Sequence, residues 1–548
     1  MRPALGRVMK LDKLFAAAAS ALVLLLAFPT IAGDKTMLAV GAICRVEAHD
    51  ETPGGNPHLV IEDGMGTGGI PIATSNPKAQ AWFNYGIKLF HAYYHEDAKR
   101  AFDNAVAADP RCAMCLWGQA LSRGPVQNFG VSDEDMKAGL VMARKAQPLA
   151  RTRREKLLVA AMIKRDSRAQ DAPAQHDFAK DVLAAEKTGP DAPDLRLIAA
   201  EAQLSMWRQG DHSIAGDTIA IIEPILRQRP DDTAAIHYYI HATERAGHAG
   251  LALAYAEKLS RLAPKASHLV HMAAHTFFRV GRYQDAAAIN AFALQVDADH
   301  LTVNATPGRV SSSAMYYEHN LNFGMAGSLM SGDRALALKF ADHLPRAYPD
   351  MAAQKDDMAF GQARRFIIYA RYEPARMLAL DEPAADSPET RSFYHYARGE
   401  AYAVLGDAKA LAAEADKITG DDRAMKVARL VLAGRLAVLQ GRFKDAAGSF
   451  EQAGAEEDQF PPETMDPPPW WYPVRRSAAA AWLQAGDFAR AAETAKKSLQ
   501  AWPDDALALL VLSRAEDGLG QAADARHDEA AAMGGWEGNF SKLDMKGI

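Results

Sequence analysis

Six of the chain's 17 histidines fall between His237 and His275. His237 and His241 stand four residues apart, as do His271 and His275, and in a helix that spacing sets both imidazoles on one face, one turn apart. Neutral imidazole nitrogens are preferred ligands of zinc and copper, and an i,i+4 histidine pair is how the H-E-x-x-H motif grips zinc. Glu244, three residues beyond His241, is spaced to ligate an ion or to orient a ring from behind. His268 lies three residues before His271. Two further readings fit the same residues: a polar groove for an extended peptide, and a structural role with the imidazoles hydrogen-bonded to Tyr238, Tyr239 or Ser267.

The elements that must position these side chains show in a period. Gly247 of GHAGLA and Gly281 of GRYQDA are 34 residues apart, the length of a tetratricopeptide (TPR) helical hairpin. In that frame His237 and His241 are the fifth and ninth residues of one unit, and His271 and His275 hold the same places in the next. Those places face the concave side of a TPR array. Helices packed about 8–10 Å apart leave a gap that two imidazoles can span through one ion. A clear first repeat occupies 76–110, where Trp82, Tyr85, Gly86 and Leu89 fall on one helix and Ala98, Phe102 and Ala105 on the next. Gly406 and Gly441 are 35 apart, Gly486 and Gly520 again 34. The fold class expected is all-α, a TPR solenoid wound as a right-handed superhelix, with an irregular Gly/Pro-rich arm at 33–75. Its N-terminal repeat region is 76–345 and its C-terminal one 346–531. Prolines make 456–474 a loop, which Trp470, Trp471 and Tyr472 either pin down or render adhesive, and 532–548 reads as a frayed cap. A break at 298–320 reads as an insertion that delivers His319 to the groove; in the shifted frame His319 is the second residue of its unit and Asn322 the fifth, both facing inward.

The remaining properties narrow the function. A net charge of −6 and a pI near 6.3 argue against nucleic acid as a partner, which requires a basic surface. Arg2, Arg7, Lys10 and Lys13, followed by the apolar run Leu14 to Phe28 and small residues at Thr30 and Ala32, read as a signal peptide over 1–32. The expected address is therefore exported, periplasmic, with no membrane span after cleavage. Three cysteines make no disulfide framework, and Cys112 and Cys115 are open to a local disulfide, a metal or simple packing.

The segments PIATSNPKAQAWFNYG, DPRCAMCLWGQALSRGP, HYYIHATE, APKASHLVHMAAHTFFRVGRYQDA and YYEHN resemble a His-rich group of exported bacterial TPR-containing proteins, over roughly residues 64–345. The resemblance implies the fold and a histidine site, and no activity. Members of that group often carry histidines where Gly68 and Gly69 stand here, another at the position of Asn322, and Met-Pro-Ser-His where Met272 to His275 stand. A site completed by those positions would be smaller here. Carried over, the residues are His95, His237, His241, Glu244, His268, His271, His275 and His319. All but His95, whose place in the first repeat is an aromatic one, form the expected metal set. The expected ligand is one divalent transition ion of the zinc or copper class, with no organic cofactor. No catalytic residue stands out, and the alternative is a periplasmic scaffold that grips a peptide or an envelope protein without metal.

Overall fold

The computed structural model describes residues 59–127, 132–168, 172–206, 212–304, 313–348, 359–460 and 466–548. The signal-peptide reading and residues 33–58 of the arm lie outside them. Among the described residues there are 24 α-helices, short 3₁₀ turns and no strand, and consecutive helices pack as hairpins.

The glycines that set the period end the first helix of their hairpins. Gly247 and Gly281 adopt φ of 74° and 84°, a left-handed conformation that glycine enters without a Cβ penalty. The amide after each then reaches back to the orphan carbonyl five residues earlier, His248 to Thr243 and Arg282 to Phe277, both at 2.8 Å. The same closure recurs after Gly406, Gly441, Gly486 and Gly520. A repeated glycine thus becomes a repeated turn.

Inside the hairpins, small residues admit large ones. A Cβ on Gly86 would stand 2.7 Å from the Phe102 ring, and one on Gly118 only 2.4 Å. Gly324 with Phe340 and Gly434 with Phe450 repeat the arrangement at the same separation along the chain. Each such buried ring contributes roughly 1.5–3 kcal/mol, and it does so because the facing helix offers no side chain there.

Two expectations change, and one open alternative is decided. The described residues of the break at 298–320 are helical, since one helix spans Tyr283–Asn304 and the next Ser313–Ser331. His319 arrives on the second of these helices. The C-terminal tail is docked rather than frayed: Trp536 and Ile548 are buried, and Ser477 donates to the Ile548 carbonyl. Trp470, Trp471 and Tyr472 are also buried, so these aromatics pin their loop into the core. The described part of the arm lies against the repeats, with Thr67 bonded to Asp232 and Thr233 and the Gly69 amide to Asp194. No described helix is long and apolar enough to cross a membrane.

Candidate metal centre

Helix Thr233–Arg245 starts at Asp232, whose side chain accepts from the Ala235 amide, and carries His237, His241 and Glu244. Helix Ser267–Arg279 carries His268, His271 and His275, and packs against the first and against the helix that brings His319. Because both histidine pairs occupy one register of two successive hairpins, their rings meet. His237 and His271 are 0% exposed and His275 is 3%, so the face predicted to line a groove is sealed.

The rings sort into two adjacent triads where one cluster around one ion was expected. The first is His271, His275 and His319, with ligand-type nitrogens within 4.8 Å of one another. Asn290 places its Nδ2 on the Ala286 carbonyl, which turns its Oδ1 toward His271, so His271 Nδ1 carries the proton and donates at 2.6 Å. His275 Nδ1 donates to Glu244 at 2.8 Å. Both Nε2 atoms therefore face inward, 3.0 Å apart, and His319 Nε2 stands 3.4 Å from that of His275. Two bare lone pairs at that distance repel unless a proton or a cation stands between them. Two metal bonds of about 2 Å at a tetrahedral angle place their nitrogens roughly 3.3 Å apart.

Burial pushes His271 well below the usual imidazole range and His319 down to about 3. At His275 burial acts the same way, but the Glu244 carboxylate outweighs it and holds the ring above its ordinary value. Burial would raise Glu244 too, yet His275 and Arg279 together keep it well below the carboxylate range. Arg279 donates to Glu244 at 2.8 Å and to Asp466 at 2.5 Å. Asp466, lifted to about 6 by burial and by Glu244, forms a third ligand-type group with Glu244 and His275. Beyond Arg279 lies a cavity of about 420 Å³ lined in part by Phe278, Glu457, Trp470, Ser498 and Trp502.

The second triad is His237, His241 and His268. His237 Nδ1 donates to the His91 carbonyl at 2.7 Å, which leaves its Nε2 facing His268 Nε2 at 3.1 Å. His241 Nε2 and His268 Nδ1 are buried without a hydrogen-bond partner. Burial drives His237 down to about 3 and the other two well below the imidazole range. Tyr93 and Tyr316 cover the rings, with centroids 5.0 and 4.1 Å from that of His268.

All seven residues of the expected metal set thus come together, six as ring members of the triads and Glu244 behind His275. His95 is held apart from them, packed between Phe90 and Tyr93. The two cysteines form a buried disulfide, Cys112–Cys115. Sequence reasoning missed His91, Asn290 and Asp466. Asn290 is one polar residue on an otherwise ordinary helix, and Asp466 comes from the proline-rich loop, 187 residues from Arg279. Neither had a periodic signal to find.

No family model matches the chain, and no curated protein matches it. Among solved structures it is similar to the human IFIT1 dimer with m7Gppp-AAAA, at 12% identity over 77% of this chain and 89% of that one, TM-score 0.33. It is similar as well to the TPR domain of P58(IPK), at 14% identity over 85% and 95%, TM-score 0.23. Yeast Tom70 matches at 13% identity over 81% and 96%, TM-score 0.31. The chain is a helical-repeat protein of the TPR type, an assignment that stands on its own glycine caps and hairpin packing.

Proposed function

We propose that this is an exported metal-binding repeat protein that holds a transition ion of the zinc or copper class on His271, His275 and His319. The observation that carries the reading is the orientation of His271 and His275. Each gives its Nδ1 proton to a fixed acceptor, Asn290 or Glu244, and turns Nε2 toward the other and toward His319. Outer partners of this kind fix the tautomer and ring plane of metal-bound histidines and raise their basicity. A peptide-gripping groove would instead space its histidines along an open surface among Asn, Lys or Arg. Export is supported by the leader-like N-terminus and by the Cys112–Cys115 pairing, since disulfides persist in oxidising compartments. No reaction is assigned to the site.

Elemental analysis of protein purified without chelator, beside a His271→Ala/His319→Ala variant, tests the reading. Near-stoichiometric zinc or copper in the wild type, lost in a variant with an unchanged circular dichroism spectrum, is the expected result. No metal in either protein, with melting indifferent to added zinc or copper, would refute it.

A further inference from the structure

The two triads differ in the charge around them. On the His271 side, Glu244 is a buried carboxylate bonded to a ligand histidine, and Asp466 stands 3.7 Å from the same ring. Arg279, bonded to both carboxylates, offsets one of the two charges, and a dication there still meets the other. Around His237, His241 and His268 no described carboxylate makes a hydrogen bond or ion pair with any of the rings. The acids of the elements packed around them are engaged elsewhere: Glu244, on the helix of His237 and His241, with His275 and Arg279, and Asp297 with Ser267 and Asn320. Asp194 accepts from the Gly69 amide and stands 3.4 Å from His91, and Glu201 accepts from the Gln127 amide at 2.9 Å. The ionisable side chains that bear on His241 are other imidazoles, His275 among them, and the cationic Arg245, which is bonded to the Leu204 carbonyl.

A buried charge without a counter-charge is costly, and the cost rises steeply with its magnitude. Three neutral imidazoles walled by aromatic rings can take a single positive charge far more readily than two. Among first-row ions that bind imidazole, cuprous copper is the monovalent one, and soft, polarisable surroundings favour it. The unpartnered His241 Nε2 and the bare His237 Nε2 supply lone pairs, and His268 completes the set.

We infer that His237, His241 and His268 form a second ion site, selective for monovalent copper, beside the divalent-competent triad of His271, His275 and His319. The two sites are neighbours: the His241 and His275 ring centroids are 5.5 Å apart, and those of His268 and His271 are 6.0 Å apart. The inference rests on the metal-binding reading above and adds a second ion and its charge.

The test loads metal-free full-length protein with zinc(II), and separately, under anaerobic conditions, with copper(I) supplied as its acetonitrile complex. Retained equivalents are counted after desalting. The wild type is expected to keep one zinc but two copper(I). A His241→Ala/His268→Ala variant is expected to keep one zinc, which also reports that the neighbouring triad has folded, and to fall to one copper(I). Two zinc ions in the wild type would overturn the monovalent selection, and a single copper(I) would overturn the second site while leaving the first. Neither ion in the wild type would remove both readings. If the variant does not fold, the wild-type ratio of copper(I) to zinc decides alone.

Discussion

Replacing Glu244 by Gln keeps the size of the side chain and removes its charge. The carboxylate lies 2.8 Å from His275 Nδ1, on the side of the ring away from the ion, which places the negative charge roughly 6–7 Å from a metal bonded at about 2 Å to Nε2. With an effective dielectric of about 20, a unit charge and a dication at that distance attract by about 5 kcal/mol. That figure is a ceiling. Arg279, which shares Glu244 with His275, retains Asp466 as a partner and can move off the site once the carboxylate is gone. Deleting an outer partner of a metal-bound histidine typically weakens binding 10- to 100-fold, about 1.4–2.7 kcal/mol. Since Glu244 and His275 are both buried, little water is present to replace the lost charge, and the upper end, about 100-fold, is expected. Competition against a chromophoric zinc chelator gives the dissociation constant. A change of less than about threefold in a folded variant would refute Glu244 as the group that orients His275 and balances the ion.

Three further outcomes follow. His95→Phe should leave the metal content unchanged by elemental analysis, because His95 sits among Phe90 and Tyr93 and outside both triads; loss of an equivalent would make it a ligand. Gly118→Ala puts a methyl 2.4 Å from the Phe102 ring and should cost about 1–3 kcal/mol, visible as a lower urea midpoint at an unchanged slope. Burial lifts Glu457 to about 8 in the fold from an ordinary value of 4.5, so its contribution is intact below about pH 4.5 and is lost as pH rises through 8; Glu457→Gln should flatten the fall in melting temperature between pH 6 and 9, and an unchanged fall would show that the carboxyl is not held neutral.

The repeat was legible because one residue type, glycine at the hairpin turn, does one job in every unit, and Gly247, Gly281, Gly406, Gly441, Gly486 and Gly520 all take the left-handed conformation. The histidine faces were legible for a related reason, since a 3.6-residue helix makes i,i+4 neighbours of any such pair. The division into two triads was not. It depends on which ring nitrogen each imidazole commits to an acceptor, and those acceptors, the His91 carbonyl and Asn290, belong to elements with no histidine signal of their own. The helix at Tyr283–Asn304 runs past Asp297, where the break was read, because ADHLTVN is helical without apolar periodicity. His319 was found from its register in the following unit, whose first helix carries it.

A helical repeat is well suited to making half of such a centre and poorly suited to finishing it. Stacked hairpins place the same position side by side, so one histidine pair copied into the next unit already yields four converging rings. Copying alone cannot yield threefold coordination, because successive units offer two rings apiece along parallel rows. The third ligand must break the register. Here it does so twice: His268 sits one turn before the pair on its own helix, and His319 comes from the following hairpin after an irregular interval. His268 joins the His237 and His241 pair and His319 the His271 and His275 pair, which gives two triads with different surroundings. Glu244, on the His275 flank, then gives one side a negative charge that the other lacks. The asymmetry of charge therefore follows from where the repeat departs from itself.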